Sequence, residues 1–257
     1  MIPIGWRFPA DGRDAQAPAD AAVVMVTILR PCIRDALESI YRQEFRGTIQ
    51  ILVGIDKASG PIEPLLDALR ERPRNVAAIV LDPGYSTAQR HGGLYPASDG
   101  GALRTVLSYL ANSRLLAYLD DDNQWTPEHL RTLSAAIDGF DWAFALRTFV
   151  DERTGRDLCV DIWDSTGPGR GLRKASLGGF VDVNCLMIDK TRAGDALPLW
   201  AHPLHEWKAT ADRRVFVHLR ERHPVAWTGR STVRYSIRPT FYLWPQIRAH
   251  LGKRVAV

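Results

Sequence analysis

Short apolar runs alternate with amphipathic segments through the first half of the chain. Short apolar runs, the first of them rich in β-branched residues, predict strands over residues 21–28, 49–55, 76–81 and 114–119. Apolar positions at helical spacing predict helices over residues 33–41, 61–72, 101–112 and 126–137. This repeated alternation of strand and helix is typical of an α/β fold with a mostly parallel sheet.

The pattern changes in the second half of the chain. An antiparallel hairpin is expected from strands over 141–150 and 157–163 around a turn at 152–155. Further strands are expected over 180–188 and 231–237, with an amphipathic helix over 209–222 between them. At the other end of the chain, residues 1–20 are rich in Pro, Ala and Asp, and we interpret them as a flexible arm.

Three consecutive carboxylates, Asp120, Asp121 and Asp122, directly follow the fourth predicted strand. Open α/β sheets bind their ligands outside the carboxyl ends of the strands. Because adjacent like charges repel, a divalent cation is a natural partner for this cluster. Asp120 and Asp122 are one residue apart, so both can face one metal. The alternative is a solvated acidic turn without a ligand.

Polar side chains also follow the first two strands. Thr27 and Arg30 come at the end of the first strand, and Asp56 and Lys57 at the end of the second. Their convergence with Asp120 at one edge of the sheet would fit a nucleotide pocket. Taken alone, a polar residue after a strand is more commonly just a cap, and Lys57 either approaches a phosphate or is solvated.

Two stretches of sequence carry a resemblance to a known family. The stretch VVMVTILRPCIRDALESIYRQEF, followed by IQILVGIDKASG, resembles the start of a family 2 glycosyltransferase. GALRTVLSYLANSRLLAYLDDDN is similar to the family's Ala-Arg-Asn to Asp-Asp-Asp stretch, with Arg104 at the family's arginine. Val26 departs from the family's proline, and Lys57 from its second acidic residue.

The resemblance implies the GT-A fold, which is a Rossmann-like three-layer α/β/α domain with a mostly parallel central sheet and a small antiparallel acceptor-side part. One domain would span residues 21–257. Within it, residues 21–125 would bind the nucleotide sugar and residues 126–240 the acceptor, with 241–257 as a C-terminal tail.

The resemblance also implies an activity, which is inverting transfer of a sugar from a nucleotide-diphosphate donor, such as a UDP-sugar, to a hydroxyl acceptor on a saccharide or a lipid. The candidate donor-binding residues are Thr27, Arg30, Asp56, Lys57, Arg104, Asp120 and Asp121. Asp122, together with Asp120, would hold Mn²⁺ or Mg²⁺. The general base would be Asp212, 90 residues after Asp122. Glu206 is the substitute, because its HEW sequence lacks the family's acidic pair.

Several features of the later sequence keep two interpretations each. His205, His218 and His223 are either additional metal ligands or structural residues. The loop over residues 82–100, which carries Arg90 and His91, either closes over the donor or is a variable surface loop.

Charge and cysteine content limit the partners and the cellular location that we expect. Residues 190–257 carry 13 Lys and Arg against 4 Asp and Glu, whereas residues 1–189 carry 20 against 25. No nucleic-acid-binding motif accompanies the basic part, so we expect no nucleic-acid partner, while peripheral contact with an anionic membrane stays open. Three scattered cysteines build no disulfide framework and, with no apolar run of membrane-spanning length, favour a cytoplasmic location.

Two other functions remain in view. One is a non-catalytic sugar-nucleotide-binding relative or partner subunit, suggested by the missing acidic pair. The other is an aspartyl-phosphate phosphohydrolase, in which a threonine would stand where this chain has Gln124.

Overall fold

The computed structural model describes residues 5–12, 17–204 and 210–255. The strands are β1 Gly5–Phe8, β2 Ala21–Thr27, β3 Ile49–Ile55, β4 Val76–Leu81, β5 Leu115–Tyr118, β6 Gln124–Trp125, β7 Trp142–Asp151, β8 Asp157–Val160, β9 Gly167–Pro168, β10 Gly179–Phe180, β11 Leu186–Asp189 and β12 Val225–Ile237. The α-helices are α1 Ile33–Tyr41, α2 Glu63–Arg70, α3 Gly101–Leu110, α4 His129–Ala136, α5 Lys174–Leu177, α6 Asp212–Arg222 and α7 Trp244–Val255. Short 3-10 segments lie at Gln89–His91, Val183–Cys185 and Gly194–Ala201.

A parallel unit forms the first half of the sheet. Strands β4, β3, β2 and β5 lie side by side in that order, and each pair is parallel. Every residue of β2 is buried, as expected for a strand covered on both faces by helices. Thr27 lies opposite Ile55 in the register, so the carboxyl ends of β2 and β3 meet at one edge.

The second half of the sheet mixes strand directions. β11 runs antiparallel between β5 and β7, and β12 lies parallel to β7 on its other side. β6 closes this edge, while β8 pairs with β7 as the predicted hairpin. The prediction of an α/β fold with a mostly parallel central sheet and a smaller antiparallel part is confirmed.

The single strand predicted over residues 180–188 is wrong. The chain forms β10, a 3-10 turn at Val183–Cys185, and then β11. The cause is polar: the carboxylate of Asp182 accepts hydrogen bonds from the backbone N–H and the side-chain amide of Asn184. Because these local bonds compete with strand pairing, they turn the chain within an otherwise apolar run.

Both ends of the described chain belong to the packed structure. Within the segment interpreted as a flexible arm, β1 pairs antiparallel with β4 and lengthens the sheet. The aromatic segment near the C-terminus contributes α7, whose Ile247 is buried in a small second core with Phe149 and Cys159. None of the helices in the described ranges has the length and hydropathy needed to span a bilayer.

Candidate functional site

A cavity of about 590 Å³ opens where β2, β3 and β5 end. Seven of the residues that the resemblance assigns to the donor, the metal or the general base line it, namely Thr27, Arg30, Asp56, Arg104, Asp120, Asp122 and Asp212. Lys57 and Asp121 do not line it. Its position agrees with the rule that open α/β sheets bind ligands beyond the carboxyl ends of their strands.

Asp120 is held from two sides in the cavity wall. Its Oδ1 accepts a hydrogen bond of 2.7 Å from Nη2 of Arg104, and its Oδ2 accepts one of 3.0 Å from the Asn184 amide. Burial raises the pKa of Asp120 to about 7, although Arg104 acts to lower it. Arg104 itself is buried, and its guanidinium lies 5.2 Å from the ring of Trp200. The pair therefore supplies a fixed polar wall, in which the pKa of Asp120 lies near neutral pH.

Asp121 points away from the cavity into the protein. Its fully buried carboxylate accepts a hydrogen bond of 2.5 Å from the Thr27 hydroxyl and lies 2.7 Å from Nη2 of Arg30. The structure thus places it as a link between β5 and the end of β2. Of the three carboxylates, the first and third face the cavity, as expected from their spacing.

Arg30 lies between two of the three carboxylates. Its Nη1 contacts Asp122 and its Nη2 contacts Asp121, so one guanidinium offsets much of the predicted repulsion. Asp122 remains about two-fifths exposed, and its other oxygen accepts a hydrogen bond from the Asn123 amide. Hard carboxylate oxygens facing a polar cavity suit Mg²⁺ or Mn²⁺, so the donor set at Asp122 and Asp120 fits such an ion.

Asp56 fastens the loop over residues 82–100 to the cavity. Its Oδ1 accepts hydrogen bonds from the backbone N–H and the hydroxyl of Thr87, and its Oδ2 accepts one from Ser86. Five residues of this loop line the cavity: Arg90, His91, Ser98, Asp99 and Gly100. Gly100 is required there, because it has a φ of 70° and a Cβ would collide with Val26. The loop is therefore part of the wall.

Asp212 lines the same cavity, as the first residue of α6. Its Oδ1 accepts a hydrogen bond of 2.8 Å from the backbone N–H of Arg213. Desolvation raises the pKa of Asp212 to about 6, and the charges of Asp99 and Asp182 act in the same direction. A carboxylate with this pKa is a stronger base than an exposed one and is still largely ionised at neutral pH. Its proposed substitute, Glu206, lies outside the described residues, as does His205.

A buried ion cluster behind the cavity escaped the sequence analysis. Arg147 is almost fully buried and contacts three carboxylates, those of Asp161 at 2.9 Å, Asp164 at 3.3 Å and Asp182 at 2.6 Å. Its guanidinium also lies 4.1 Å from the ring centre of Tyr235. Asp182 and Tyr235 both line the cavity, so this cluster fixes that wall. The sequence signal for this cluster is Asp182, a charged residue within the apolar run FVDVNCLMI.

A second cavity, of about 500 Å³, adjoins the first. Arg30, Asp122, Asn123, Tyr235 and Ser236 line both. The far side of the second cavity includes Glu152, Arg234, Arg238 and Phe241. The two cavities thus meet at Asp122, which leaves room for one ligand on each side of this carboxylate.

Of the histidines kept open as additional ligands, His218 and His223 do not line the cavity. His218 lies in the later part of α6 and His223 directly after that helix. Both contact Asp195 instead, at 2.8 and 2.9 Å. They are therefore not additional ligands at Asp122 in this structure.

Comparison with known proteins gives a partial sequence match. No family model matches the chain. The succinoglycan biosynthesis protein ExoW of Rhizobium meliloti (strain 1021) is 31% identical over 110 residues. These residues are 42% of this chain and 30% of ExoW, so the chain matches less than a third of that protein's length.

Solved structures share the fold over nearly the whole chain. S. aureus TarS 1-349 in complex with UDP-GlcNAc superposes with a TM-score of 0.62 at 12% identity, covering 92% of this chain and 66% of that one. The structure of S. aureus TarS gives a TM-score of 0.59 at 13% identity, covering 92% and 39%. At these identities the likeness establishes a GT-A-like fold.

Proposed function

We propose that this chain is a glycosyltransferase that moves a sugar from a nucleotide-diphosphate donor to a hydroxyl acceptor. The observation that carries the proposal is that Asp212 lines the same cavity as Asp120 and Asp122, although 90 residues separate it from Asp122 in the sequence. The GT-A-like fold, the segment similar to ExoW, and the UDP-GlcNAc complex of TarS support it. TarS also suggests that the donor nucleotide is UDP.

The donor would lie along the ends of β2, β3 and β5. Asp56 and the loop it holds would receive the base, and Asp120 the ribose. Arg104 is the fixed cation of this wall, and Arg30 is the more exposed one, with about 40% of its side chain accessible. Two guanidinium groups next to a diphosphate provide the planar donor geometry that phosphate oxygens prefer.

We further propose that a divalent cation, Mg²⁺ or Mn²⁺, is held by Asp122 with help from Asp120. When bound, it would neutralise the leaving diphosphate and orient the donor. The contribution of the chain itself is a preformed carboxylate at Asp122 that is accessible from both cavities. Arg30 would release Asp122 and turn toward the diphosphate.

Asp212 is the proposed general base. It would take the proton from the acceptor hydroxyl while that oxygen attacks the anomeric carbon and the bond to the diphosphate breaks. Attack from the side opposite the leaving group inverts the configuration at that carbon. The cavity beyond Asp122 would hold the acceptor, whether a free saccharide or a lipid-linked one.

A panel of UDP-sugars assayed for UDP release, with and without Mn²⁺, tests the function. The wild-type chain should release UDP from at least one donor, and Asp212→Asn should lose that release while still binding UDP by calorimetry. Asp138→Asn, an exposed residue outside the cavity, is the matched control and should behave as wild type.

Two results would contradict the proposal. If the wild-type chain binds UDP-sugars tightly but releases no UDP with any acceptor mixture, the chain is a non-catalytic binding relative. If a small phosphoryl donor labels Asp120 covalently, the chain belongs with the aspartyl-phosphate enzymes.

A further inference from the structure

We propose that Asp195, His218 and His223 form a zinc site that is separate from the donor cavity. One ring nitrogen of each histidine and a carboxylate oxygen of Asp195 all lie within 4.8 Å of one another. None of these residues lines either cavity at the strand ends. The site does not depend on the proposed glycosyltransferase activity.

The distances suit a single small ion. Asp195 lies between the two imidazoles, with its Oδ2 2.8 Å from Nε2 of His218 and its Oδ1 2.9 Å from Nε2 of His223. Ligand atoms around a tetrahedral zinc are about 3.3 Å apart, because each is about 2.0 Å from the metal. The contacts to Asp195 are about 0.4 Å shorter than this spacing, so small side-chain rotations would open the cluster around an ion.

His223 shows the orientation expected of a zinc ligand. Its Nδ1 lies 2.9 Å from Oδ2 of Asp141, at hydrogen-bond distance. When Nδ1 donates to that carboxylate, the neutral ring presents the Nε2 lone pair toward Asp195. This is the carboxylate–histidine–metal arrangement that fixes the tautomer and orientation of zinc-bound imidazoles.

A second observation concerns Nε2 of His223. The side chain of His223 is about 90% buried, and its Nε2 has no aligned hydrogen bond despite the nearby Asp195 carboxylate. A buried ring nitrogen that lacks a well-aligned hydrogen bond costs free energy unless another group binds it. Two imidazoles with one carboxylate are borderline donors, which suit Zn²⁺ better than Mg²⁺ or Mn²⁺.

The elements joined by the site indicate what the metal would do. Asp195 lies in the 3-10 segment Gly194–Ala201, which also carries Trp200 beneath Arg104. His218 lies in α6, which begins at Asp212. Zinc would therefore clamp α6, which carries Asp212, to the segment that packs against Arg104, with a fourth coordination position left for water.

Zinc binding to the untagged full chain, stripped with EDTA, tests the site. We expect one Zn²⁺ per chain in competition with a chromophoric chelator, and visible Co²⁺ absorption typical of tetrahedral coordination. The double variant His218→Gln/His223→Gln, which keeps hydrogen-bonding side chains, should bind Zn²⁺ at least about 100-fold more weakly and lose the Co²⁺ bands. Asp141→Asn, which keeps all three ligands, should weaken binding by about tenfold.

Two variants separate this site from others. His202→Gln, an exposed histidine outside the cluster, and Asp120→Asn/Asp122→Asn, in the donor cavity, should bind Zn²⁺ as wild type does. Zinc should also raise the thermal unfolding midpoint of wild type but not of the double variant. The proposal is overturned if wild type takes no zinc from the chelator, or if the double variant binds it equally tightly. If that variant fails to fold, equal binding by Asp141→Asn and wild type, without tetrahedral Co²⁺ bands, overturns it as well.

Discussion

Arg104 and Asp120 form an ion pair in the cavity wall, with 2.7 Å between Nη2 of the arginine and Oδ1 of the aspartate. They are 16 residues apart in the sequence, one in α3 and the other just after β5. Because the side chain of Arg104 is only 4% exposed, its charge depends on this partner and on Asp99 at 3.6 Å. The pair therefore links the stability of the fold to the charge of the candidate site.

Arg104→Met should destabilise the protein by about 3 kcal/mol, because it leaves Asp120 in a desolvated wall without its cation. The same change should raise the pKa of Asp120 further above its value of about 7, since Arg104 lowers it. Urea unfolding measures the first effect, and calorimetry of UDP binding over a series of pH values follows the second. Arg104→Lys keeps the charge and should lose clearly less stability; equal losses would show that packing on Trp200 matters more than the ion pair.

Asp212→Asn should reduce turnover at saturating donor by at least about 100-fold, the usual range for a lost general base. In wild type the ionised form of Asp212 is the active one. Its pKa is about 6, so the rate should fall about tenfold for each pH unit below 6 and level off above it. A rate profile between pH 5 and 8 measures this, and a profile that rises toward acid would exclude Asp212 as the base.

Arg30→Gln should strengthen Mn²⁺ binding in the absence of nucleotide. Arg30 contacts both Asp121 and Asp122, and a charge at this exposed position is worth about 1 kcal/mol, or roughly fivefold in affinity. The same variant should bind UDP more weakly with Mn²⁺ present, because the proposed diphosphate contact is lost. Calorimetry measures both, with the exposed Arg46→Gln as control. Unchanged Mn²⁺ affinity would argue against a cation at Asp122.

His129 should make the protein less stable in mild acid. Burial lowers its pKa to about 3, so the folded protein keeps it neutral while the unfolded chain protonates it near pH 6.5. Its stabilisation is complete above pH 6.5 and is lost as the pH falls, by about 2 kcal/mol at pH 5. Urea unfolding of wild type and His129→Gln at pH 7 and pH 5 isolates this contribution.

The glutamine is the matched control because it does not titrate and can still bond to the Thr232 hydroxyl, which lies 2.7 Å from Nδ1 of His129. The stability difference between the two proteins should shrink at pH 5. A constant difference at both pH values would mean that His129 has about the same pKa in the folded and the unfolded protein.

Local sequence patterns gave the parallel half of the fold with little error. The predicted strand over 49–55 is β3, and the one over 76–81 is β4. Continuous apolar runs are reliable here because a strand covered on both faces has few polar positions to obscure it. The pattern failed over 180–188, where the side chains of Asp182 and Asn184 bond to the local backbone and turn the chain.

Part of the candidate site also follows from the sequence alone. The strand-end positions of Thr27, Asp56 and Asp120 follow from the sequence, because parallel strands must end at one edge. The sequence also predicts that alternate residues of the acidic cluster share a side, and Asp120 and Asp122 both line the cavity.

The chain by itself therefore determined the order of the elements and the edge at which the polar residues collect, because both depend on apolar periodicity within short segments. Only the tertiary structure decided that Arg30 lies between Asp121 and Asp122, and that His218 and His223 meet at Asp195 away from the cavity. These contacts join segments far apart in sequence. Charges and imidazoles become neighbours only after distant helices and strands have packed, so no local pattern records them.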